Sequence, residues 1–338
     1  MSAHRLRRAD VRRAEESKGI MEQNWAGNLK YRAAVVEHPE SADEVRTLIT
    51  RGGQVRVLGT RHSFNDIADT DGTLLSLDRL PLEIEVSEDG DSVRVSAGAR
   101  YGDIAPVLEA QGLALANLAS LPHISVAGAV ATGTHGSGDR TGSLASAVRG
   151  LTVMTTSGET RQISRGDADF DGAVVSLGAL GVVLDVTLDV EPTYQVAQYV
   201  YEQPSWDAIL ADLDAVTGAG TSVSIFSTWR RTDAADQIWV KQRQPDGRAA
   251  DRAELAERLG ATAADGPRHP ILGVDPDATS DQAAWQGPGS SDYPTSAWSS
   301  LHLREPRFRA NSSCRARMLS RRLRPCVRLP IALRRSCW

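Results

Sequence analysis

Short apolar runs, bounded by glycine and other turn residues, make up much of the chain, and runs of this length are typical of β-strands. Ser157-Gly158 separates two of these runs and predicts a hairpin. The run that ends before Pro192 is punctuated by glycine and then alternates polar and apolar residues, which predicts a single strand. The predicted strands cover residues 54–58, 74–77, 82–86, 92–97, 151–156, 159–163, 177–190, 222–226 and 237–241.

Three stretches instead carry apolar residues at the three- and four-residue spacing of a helix. The first opens with the capping pattern Ser41-Ala-Asp-Glu44 and stops at Gly52-Gly53, and the second stops at Gly112. Helices are few and strands are short, so the pattern predicts an α+β chain, and the sequence contains no internal repeat. The apolar faces are Val45, Leu48 and Ile49 in the first helix, Tyr101, Ile104 and Leu108 in the second, and the stretch 206–216 in the third.

The composition is that of a globular protein of 338 residues, with 41% hydrophobic and 24% charged residues. It excludes a collagen, a wholly disordered chain and a coiled coil, and the length predicts two domains. No apolar run approaches the roughly 18 residues that a membrane-spanning helix needs. The formal net charge of −5 gives no general reason to expect nucleic acid as a partner.

The last part of the chain differs from the rest in composition. Residues 287–338 contain 11 arginines, 2 acidic residues and no lysine, and they hold all three cysteines (Cys314, Cys326 and Cys337). Three interpretations are open: a basic arm that binds nucleic acid or acidic lipid, a disordered tail without a role, and a segment read out of frame from near Gln286. We favour the third, because GC-rich coding sequence read in a wrong frame yields mainly Arg, Ser, Pro, Ala, Cys and Trp.

The start of the chain is also unusual, since it is rich in arginine and lacks the apolar core of a secretory signal. We expect residues 1–20 to be a disordered extension, with Met21 nearer the true beginning. Because residues 1–286 contain no cysteine, we expect a protein of the reducing cytoplasm.

The first candidate for chemistry is the segment Val57-Leu-Gly-Thr-Arg-His-Ser-Phe64, in which a predicted strand runs into a glycine turn that carries His62. Backbone N–H groups of such a turn can hold phosphate oxygens. A histidine beside it can serve as a general base, a metal ligand or a nucleophile, or it can simply hydrogen-bond its neighbours.

The second candidate is the segment 119–138, which is dominated by small residues. Without bulky side chains its backbone can lie close to a pyrophosphate, although a flexible glycine loop is the alternative. The segment has neither the G-x-G-x-x-G nor the G-x-x-x-x-G-K-[ST] pattern, which argues against nicotinamide and P-loop nucleotide sites. His123 and His135 lack partners at metal-ligand spacing, so we expect no metal.

Two further segments are ambiguous by themselves. Ser176-Leu-Gly-Ala-Leu-Gly-Val-Val183 places two glycines before a strand, where backbone can approach a flat ring or pack tightly at a corner. Trp25-Ala-Gly-Asn28 combines an aromatic anchor with a turn.

Together these segments resemble the FAD-binding domain of the vanillyl-alcohol oxidase (p-cresol methylhydroxylase-type) flavoprotein family, and within it the alditol (xylitol) oxidases of actinobacteria. Their order and spacing match as well, and the resemblance is strong from about residue 24 to 241. The segments that carry it are 24–28, 55–65, 120–128, 131–138 and 176–182.

The resemblance implies an α+β fold with a two-subdomain FAD-binding domain over residues 21–192. An α+β substrate (cap) domain then begins over residues 193–286, and we expect it to be incomplete. Residues 287–338 follow as an aberrant basic tail, which we expect to be disordered.

The resemblance also implies roles for individual residues. His62 is the residue joined covalently to the 8α-methyl group of the flavin, Ser120 hydrogen-bonds a substrate hydroxyl, and Val182 contacts the adenosine half through its backbone. Arg61 departs from the family, which commonly has glycine there, and it either adds a phosphate contact or crowds the turn. The other residues expected to bind FAD are Val57, Leu58, Gly59, Thr60, Ser63, Ser125, Gly128, Thr132, Gly133, Thr134 and His135.

The implied activity is the oxidation of a polyol. A hydride passes from the terminal carbinol carbon to flavin N5, and dioxygen reoxidises the flavin, giving an aldehyde and hydrogen peroxide. FAD is the expected cofactor, a small polyol and dioxygen are the expected partners, and a monomer is the expected state. In the family, the residues that orient and deprotonate the polyol lie beyond the equivalent of Gln286, so we expect weak FAD retention and very low turnover.

Two other functions stay open. One is a sugar-1,4-lactone oxidase or dehydrogenase of the same fold, similar to D-arabinono-1,4-lactone oxidase. The other is a non-catalytic product whose basic tail binds nucleic acid or membrane, with an affinity that falls steeply with salt.

Overall fold

The computed structural model of the chain describes residues 23–243 and 252–276, and the backbone of residues 287–288. The predicted extension 1–20 and the predicted basic tail, apart from that backbone, lie outside the described residues. Short strands and short helices alternate irregularly along the described ranges, which is the α+β architecture that the sequence predicts.

The elements are numbered in chain order. The strands are β1 (Val35–Glu37), β2 (Val55–Leu58), β3 (Thr73–Ser76), β4 (Ile84–Val86), β5 (Ser92–Ser96), β6 (Leu113–Ala114), β7 (Val148–Met154), β8 (Thr160–Ser164), β9 (Val182–Asp189), β10 (Glu191–Pro192), β11 (Gln195–Glu202), β12 (Ser222–Phe226), β13 (Gln237–Arg243), β14 (Thr262–Ala263) and β15 (Gly287–Pro288). The helices are α1 (Ala42–Thr50), α2 (Tyr101–Glu109), α3 (Val126–Ala131), α4 (Phe170–Val174), α5 (Trp206–Ala211), α6 (Leu213–Thr217) and α7 (Arg252–Leu259).

The first subdomain is a parallel sheet of order β1-β3-β2 with α1 as the crossover between β1 and β2. Helix α1 begins where the capping pattern predicts, because the Ser41 hydroxyl accepts a hydrogen bond from the N–H of Glu44. Val45 on its inner face is fully buried and packs with Leu75 of β3 and Val182 of β9. This packing holds the subdomain in place around β2, whose last residue, Leu58, is followed directly by the glycine turn.

The second subdomain is an antiparallel sheet of order β4-β5-β9-β7-β8. Alternate residues of its central strands, such as Val93 and Val186, are fully buried against α2 and α3. Ile104 and Leu108 of α2 provide the helical side of this core, as their spacing predicts. The short helix α3 therefore lies on the sheet with its first residue, Val126, buried.

A separate antiparallel sheet follows, which we call the third sheet. Its order is β12-β13-β11-β14, and β15 pairs with the start of β11. Helices α5, α6 and α7 cover one of its faces, where Tyr199, Tyr201 and Ile238 pack against Ile209 and Leu259. The described residues of this sheet and its helices thus share a hydrophobic core of their own. The pairing of Gly287–Pro288 with β11 extends this sheet two residues beyond the predicted boundary.

Specific polar contacts join this third sheet to the preceding part of the chain. The Arg243 guanidinium at the end of β13 donates to Glu191 Oε1 at 2.6 Å and lies 3.6 Å from the ring centre of Tyr194. The hydroxyl of Ser137 lies 2.9 Å from those of both Ser222 and Ser224 on β12. The C-terminal end of the small-residue segment is therefore hydrogen-bonded to β12 of the third sheet.

Two predicted elements are wrong at their bounds. The strand predicted over 177–190 begins only at Val182, because Leu177, Gly178 and Gly181 all have positive φ and cannot continue a strand. The helix predicted over 206–216 is broken at Asp212, whose carboxylate instead caps α6 through the N–H of Ala215.

Candidate functional site

A cleft of about 930 Å³ lies where three distant parts of the chain meet. Its walls come from three segments: the histidine turn (57–64), the small-residue segment (119–138) and the double-glycine segment before β9 (176–183). The volume is near the upper end of the usual range for small-molecule sites, about 300–1,000 Å³. The predicted FAD-binding residues that line it are Val57, Leu58, Gly59, Thr60, Arg61, His62, Ser63, Ser125, Gly128, Thr132 and Thr134.

The histidine turn and the small-residue segment approach each other at Gly59 and Gly128, which have no side chains. A β-carbon added to Gly59 falls 2.8 Å from the Ser125 hydroxyl oxygen, and one added to Gly128 falls 2.7 Å from the same oxygen. The N–H of Ser125 also donates to the Thr60 hydroxyl at 3.2 Å. A β-carbon at either position would have to displace the Ser125 hydroxyl, so glycine at both lets the end of β2 meet the beginning of α3.

The turn that carries His62 has a strained backbone. Arg61 adopts φ of +63°, a conformation that favours glycine, which is the residue that the resembled family commonly has there. The carbonyl of Arg61 accepts a hydrogen bond from the N–H of Trp25 at 2.8 Å, and the Asn24 amide donates to the carbonyl of Ser63 at 3.0 Å. Asn24 and Trp25 thus hold the turn through its backbone carbonyls.

The rings of Trp25, His62 and His123 form one cluster. The His62 imidazole stacks on Trp25 with a centroid separation of 4.4 Å, and its Nε2 lies 2.9 Å from Nε2 of His123. Burial, together with the neighbouring His123, lowers the pKa of His62 to about 4. The imidazole is therefore neutral at physiological pH, and a neutral imidazole is the form that can act as a nucleophile or a base.

The double-glycine segment closes the third side of the cleft. The N–H of Leu177 donates to the carbonyl of Ala131, which ties this segment to the end of α3. A β-carbon added to Gly181 falls 2.3 Å from the carbonyl oxygen of Met154. Val182 follows as a buried residue of β9 and lines an adjoining cavity of about 510 Å³, which shares Gly178 and Gly181 with the cleft.

The remaining predicted site residues are not among those that line the cleft. Gly133, with φ of +65°, ends the turn after α3, and a β-carbon there meets the side chain of Val175 at 3.4 Å. His135 is exposed, with Nδ1 3.0 Å from the carbonyl oxygen of Gly136. Ser120 is exposed on the loop between β6 and α3.

The cleft also contains residues that the sequence analysis missed. His38 and Asp78 form a contact of 2.7 Å and both line the cleft, as do Arg56 and Arg100. Nothing in the local sequence marks these residues, because each belongs to a different element and only the folded chain brings them to one cavity. Arg56 sits within a predicted strand, where an arginine is ordinarily a solvated residue.

Across residues 23–243 and 252–276, no three His, Cys, Asp or Glu side chains are grouped to hold a metal ion. Within the same ranges, every helix is too short or too polar to cross a membrane.

Comparison with known proteins identifies the kind of domain. The family model described as "FAD binding domain" matches residues 33–164, which include the first two walls of the cleft. These residues belong to the FAD-binding family. The FAD-binding domain implied by the motifs is thereby confirmed over these residues, and FAD is its cofactor.

Two curated relatives differ in how far they align. An alditol oxidase from a Streptomyces species is 42% identical over 290 residues, covering 85% of this chain and 65% of the relative. The mouse L-gulonolactone oxidase is 36% identical over 187 residues, covering 54% of this chain and 42% of the relative. The chain thus spans about two-thirds or less of the length of these curated relatives.

A solved structure has the same fold. The chain superposes on a cholesterol oxidase from B. sterolicum with a TM-score of 0.56 and 18% identity, over 65% of this chain and 47% of that one. At this identity the likeness concerns the fold alone.

Proposed function

We propose that the cleft holds FAD through the residues predicted from the sequence, with the diphosphate against the glycine turns and the isoalloxazine ring near His62. The fit rests on the close approach of Gly59 and Gly128 to Ser125, since a β-carbon at either glycine would occupy this contact. It rests also on a cavity of about 930 Å³ with a neutral histidine in its wall.

The residues of the cleft have separate tasks in this proposal. Backbone N–H groups of the turn 59–63 and of the small-residue segment bind phosphate oxygens, because glycine leaves them accessible. Val182 contacts the adenosine half through its backbone. Trp25 stacks on the His62 ring and fixes its plane, and His123 contacts the same ring at Nε2. When bound, FAD accepts a hydride from the substrate carbon and passes its electrons to dioxygen.

We propose further that the whole protein is an oxidase of polyols. The observation that carries this is the extent of the similarity, which continues through the third sheet for the alditol oxidase but covers only about half of this chain for the lactone oxidase. The third sheet lies outside the FAD-binding family match, so its similarity bears on the substrate and not only on the cofactor.

Hydrogen peroxide release tests this proposal. The chain loaded with FAD is incubated separately with xylitol, with sorbitol and with L-gulono-1,4-lactone. Peroxide from the polyols and none from the lactone supports a polyol oxidase, even at very low turnover. Peroxide from the lactone alone contradicts it and assigns the chain to the sugar-lactone oxidases.

Ser120 is proposed to hydrogen-bond a substrate hydroxyl. Its exposed hydroxyl lies on the loop that leads to Ser125, at the beginning of the small-residue segment. Ser120→Ala is therefore expected to raise KM for xylitol several-fold while FAD binding stays unchanged. Equal KM values in the two proteins would remove Ser120 from the site.

The domain bounds, the cellular compartment and the oligomeric state are proposals as well. We assign residues 21–192 to the FAD-binding domain and residues 193–286 to the beginning of a substrate domain, and we propose a cytoplasmic monomer. The absence of cysteine from residues 1–286 supports the reducing compartment. Sedimentation of the purified chain at several concentrations measures the oligomeric state directly.

A further inference from the structure

Arg56 of β2 is partly buried and lies where the two cavities of the FAD-binding region meet. The cleft of about 930 Å³ and the adjoining cavity of about 510 Å³ have four lining residues in common, which are Arg56, Val57, Gly178 and Gly181. Strand β2 is an edge strand of the first sheet, whose order is β1-β3-β2. The junction of the two cavities therefore lies between this edge strand and the double-glycine segment.

The Arg56 guanidinium has no partner at this junction. Within residues 23–243 and 252–276, no carboxylate or carbonyl group accepts a hydrogen bond from it. The three other partly buried arginines of the described strands each pair with a carboxylate at 2.6–2.9 Å, in the pairs Arg94–Asp185, Arg149–Asp189 and Arg243–Glu191. Because burial of an unpaired charge costs free energy, an anionic ligand at the junction compensates Arg56 where the chain does not.

The acidic residues that line the two cavities are paired with other side chains. Asp69 and Asp71 of the adjoining cavity lie 3.0 Å and 3.4 Å from the Arg32 guanidinium, and Asp78 of the cleft lies 2.7 Å from Nδ1 of His38. The chain as a whole has a formal net charge of −5, which repels an anion unless a local cation attracts it. The unpaired guanidinium supplies that cation at the junction.

The inference rests on the proposed function, which sets the direction of FAD across the junction. Val182, proposed to contact the adenosine half, lines the adjoining cavity, whereas Gly59 and His62 line the cleft. An FAD molecule that runs between these two ends must pass the junction. Along FAD, the adenosine-side phosphate follows the adenosine directly and the flavin-side phosphate comes next. The adenosine-side phosphate is therefore the anionic group that belongs at the junction.

We propose that the Arg56 guanidinium binds the adenosine-side phosphate of FAD and thereby selects FAD over FMN. The planar fork of N–H donors matches two oxygens of one phosphate, and hydrogen bonds between such charged groups are stronger than those between neutral groups. FMN ends at the flavin-side phosphate, so it lacks the group that Arg56 binds. The backbone N–H groups of the glycine turns still bind the phosphate oxygens nearer the flavin.

The experiment measures binding and does not depend on turnover. The apo chain is titrated separately with FAD and with FMN by fluorescence, and with ADP by calorimetry. ADP contains the adenosine-side phosphate but no flavin, so its binding stays reversible whether or not His62 becomes linked to flavin. The FAD titration is repeated at about 0.05 M and about 0.5 M sodium chloride to vary the screening of charge.

The variants are Arg56→Ala, Arg56→Gln and Arg56→Lys, with Arg161→Ala as the matched control. Arg161 is an exposed arginine of β8, and it is not among the residues that line either cavity. Arg56→Gln removes the charge but keeps most of the side-chain length, so it tests the same loss if Arg56→Ala does not fold.

The proposal predicts that Arg56→Ala and Arg56→Gln bind FAD and ADP about 10- to 100-fold more weakly than the wild type. Their FMN affinity stays within about twofold of the wild type, and their FAD affinity depends less on salt. Arg56→Lys keeps the charge without the fork, so its FAD affinity lies between those of the wild type and Arg56→Ala. Arg161→Ala matches the wild type with all three ligands.

Wild-type affinity for FAD and ADP in Arg56→Ala and Arg56→Gln overturns the proposal. So does a loss of FMN affinity equal to the loss of FAD affinity, because this marks a general change of the cleft and no contact with the adenosine-side phosphate. A folded wild-type chain that binds neither FAD nor ADP contradicts the proposed function instead, which keeps the two failures distinguishable.

Discussion

Gly59 and Ser125 lie so close together that a β-carbon on Gly59 would fall 2.8 Å from the Ser125 hydroxyl oxygen. The two residues belong to different motifs, and the contact joins the end of β2 to the beginning of α3. A β-carbon on Gly128 would fall 2.7 Å from the same oxygen. The two glycine-rich bends therefore meet at one point of the cleft, and FAD binding depends on this contact in our account.

Gly59→Ala tests this contact. The added β-carbon must displace the Ser125 hydroxyl or the turn, and we expect FAD to bind about tenfold more weakly, equivalent to about 1.4 kcal/mol. Fluorescence titration with FAD measures the change. Gly172→Ala is the matched control, because a β-carbon at Gly172 of α4 meets nothing within 4 Å and its FAD affinity should equal that of the wild type.

Gly181→Ala is expected to be strongly destabilising, by about 2–4 kcal/mol, since overpacking and an unfavourable φ of +131° both add to the cost. The new β-carbon would lie 2.3 Å from the backbone oxygen of Met154, which cannot move aside easily. Gly178→Ala is strained by a φ of +72° but has open space around it, so it should cost only about 1–2 kcal/mol. Urea unfolding of the two variants compares them, and equal losses would show that crowding at Gly181 is absent.

Arg61→Gly is expected to stabilise the chain by about 0.5–1 kcal/mol. Glycine relieves the left-handed backbone at φ of +63°, although it loses more entropy on folding. Arg61→Lys keeps the charge and the strain, so its stability should match the wild type. A loss of FAD affinity in Arg61→Gly but not in Arg61→Lys would assign a phosphate contact to this side chain, and unchanged affinity in both would exclude one.

The stability of the chain should depend on pH through His62. Its pKa is about 4 in the folded chain, below the ordinary 6.5, so the unfolded chain binds a proton here at pH values where the folded chain does not. Stability is therefore complete above about pH 6.5 and decreases as the pH falls toward about 4. The stability difference between the wild type and His62→Gln, measured by urea unfolding at pH 7 and about pH 5, should shrink on acidification, and a constant difference would contradict the lowered pKa.

Local chemistry in the sequence predicted much of the site. The turn at His62 and the small-residue stretch near Gly128 could be found because glycine, hydroxyl and imidazole groups cluster within a few residues. The partners of these groups could not be found in the same way. The contact of His62 with His123, and the presence of His38 and Asp78 in the cleft, depend on strand order and helix packing that no short pattern encodes.

The fold was predictable where burial is one-sided. Helix α1 buries one face, and the end of strand β9 alternates buried Val186 and Leu188 with less buried Thr187 and Asp189, so their periodicity is visible in the sequence. Strand β11 was not predicted, because residues 197–201 are buried on both faces of the third sheet and show no alternation. Helix α3 was also missed, since its Val-Ala-Gly-Ala-Val-Ala sequence has no polar face.

The most direct test of the account is the stoichiometry of FAD binding to the purified chain. Calorimetric titration with FAD should saturate at one FAD per chain in the wild type. Gly59→Val combined with Gly128→Val should abolish binding while the chain keeps the far-ultraviolet circular dichroism spectrum of a folded protein. Undiminished FAD binding in the double variant, or no binding by a folded wild-type chain, would contradict the claim that the two bends form the cofactor site.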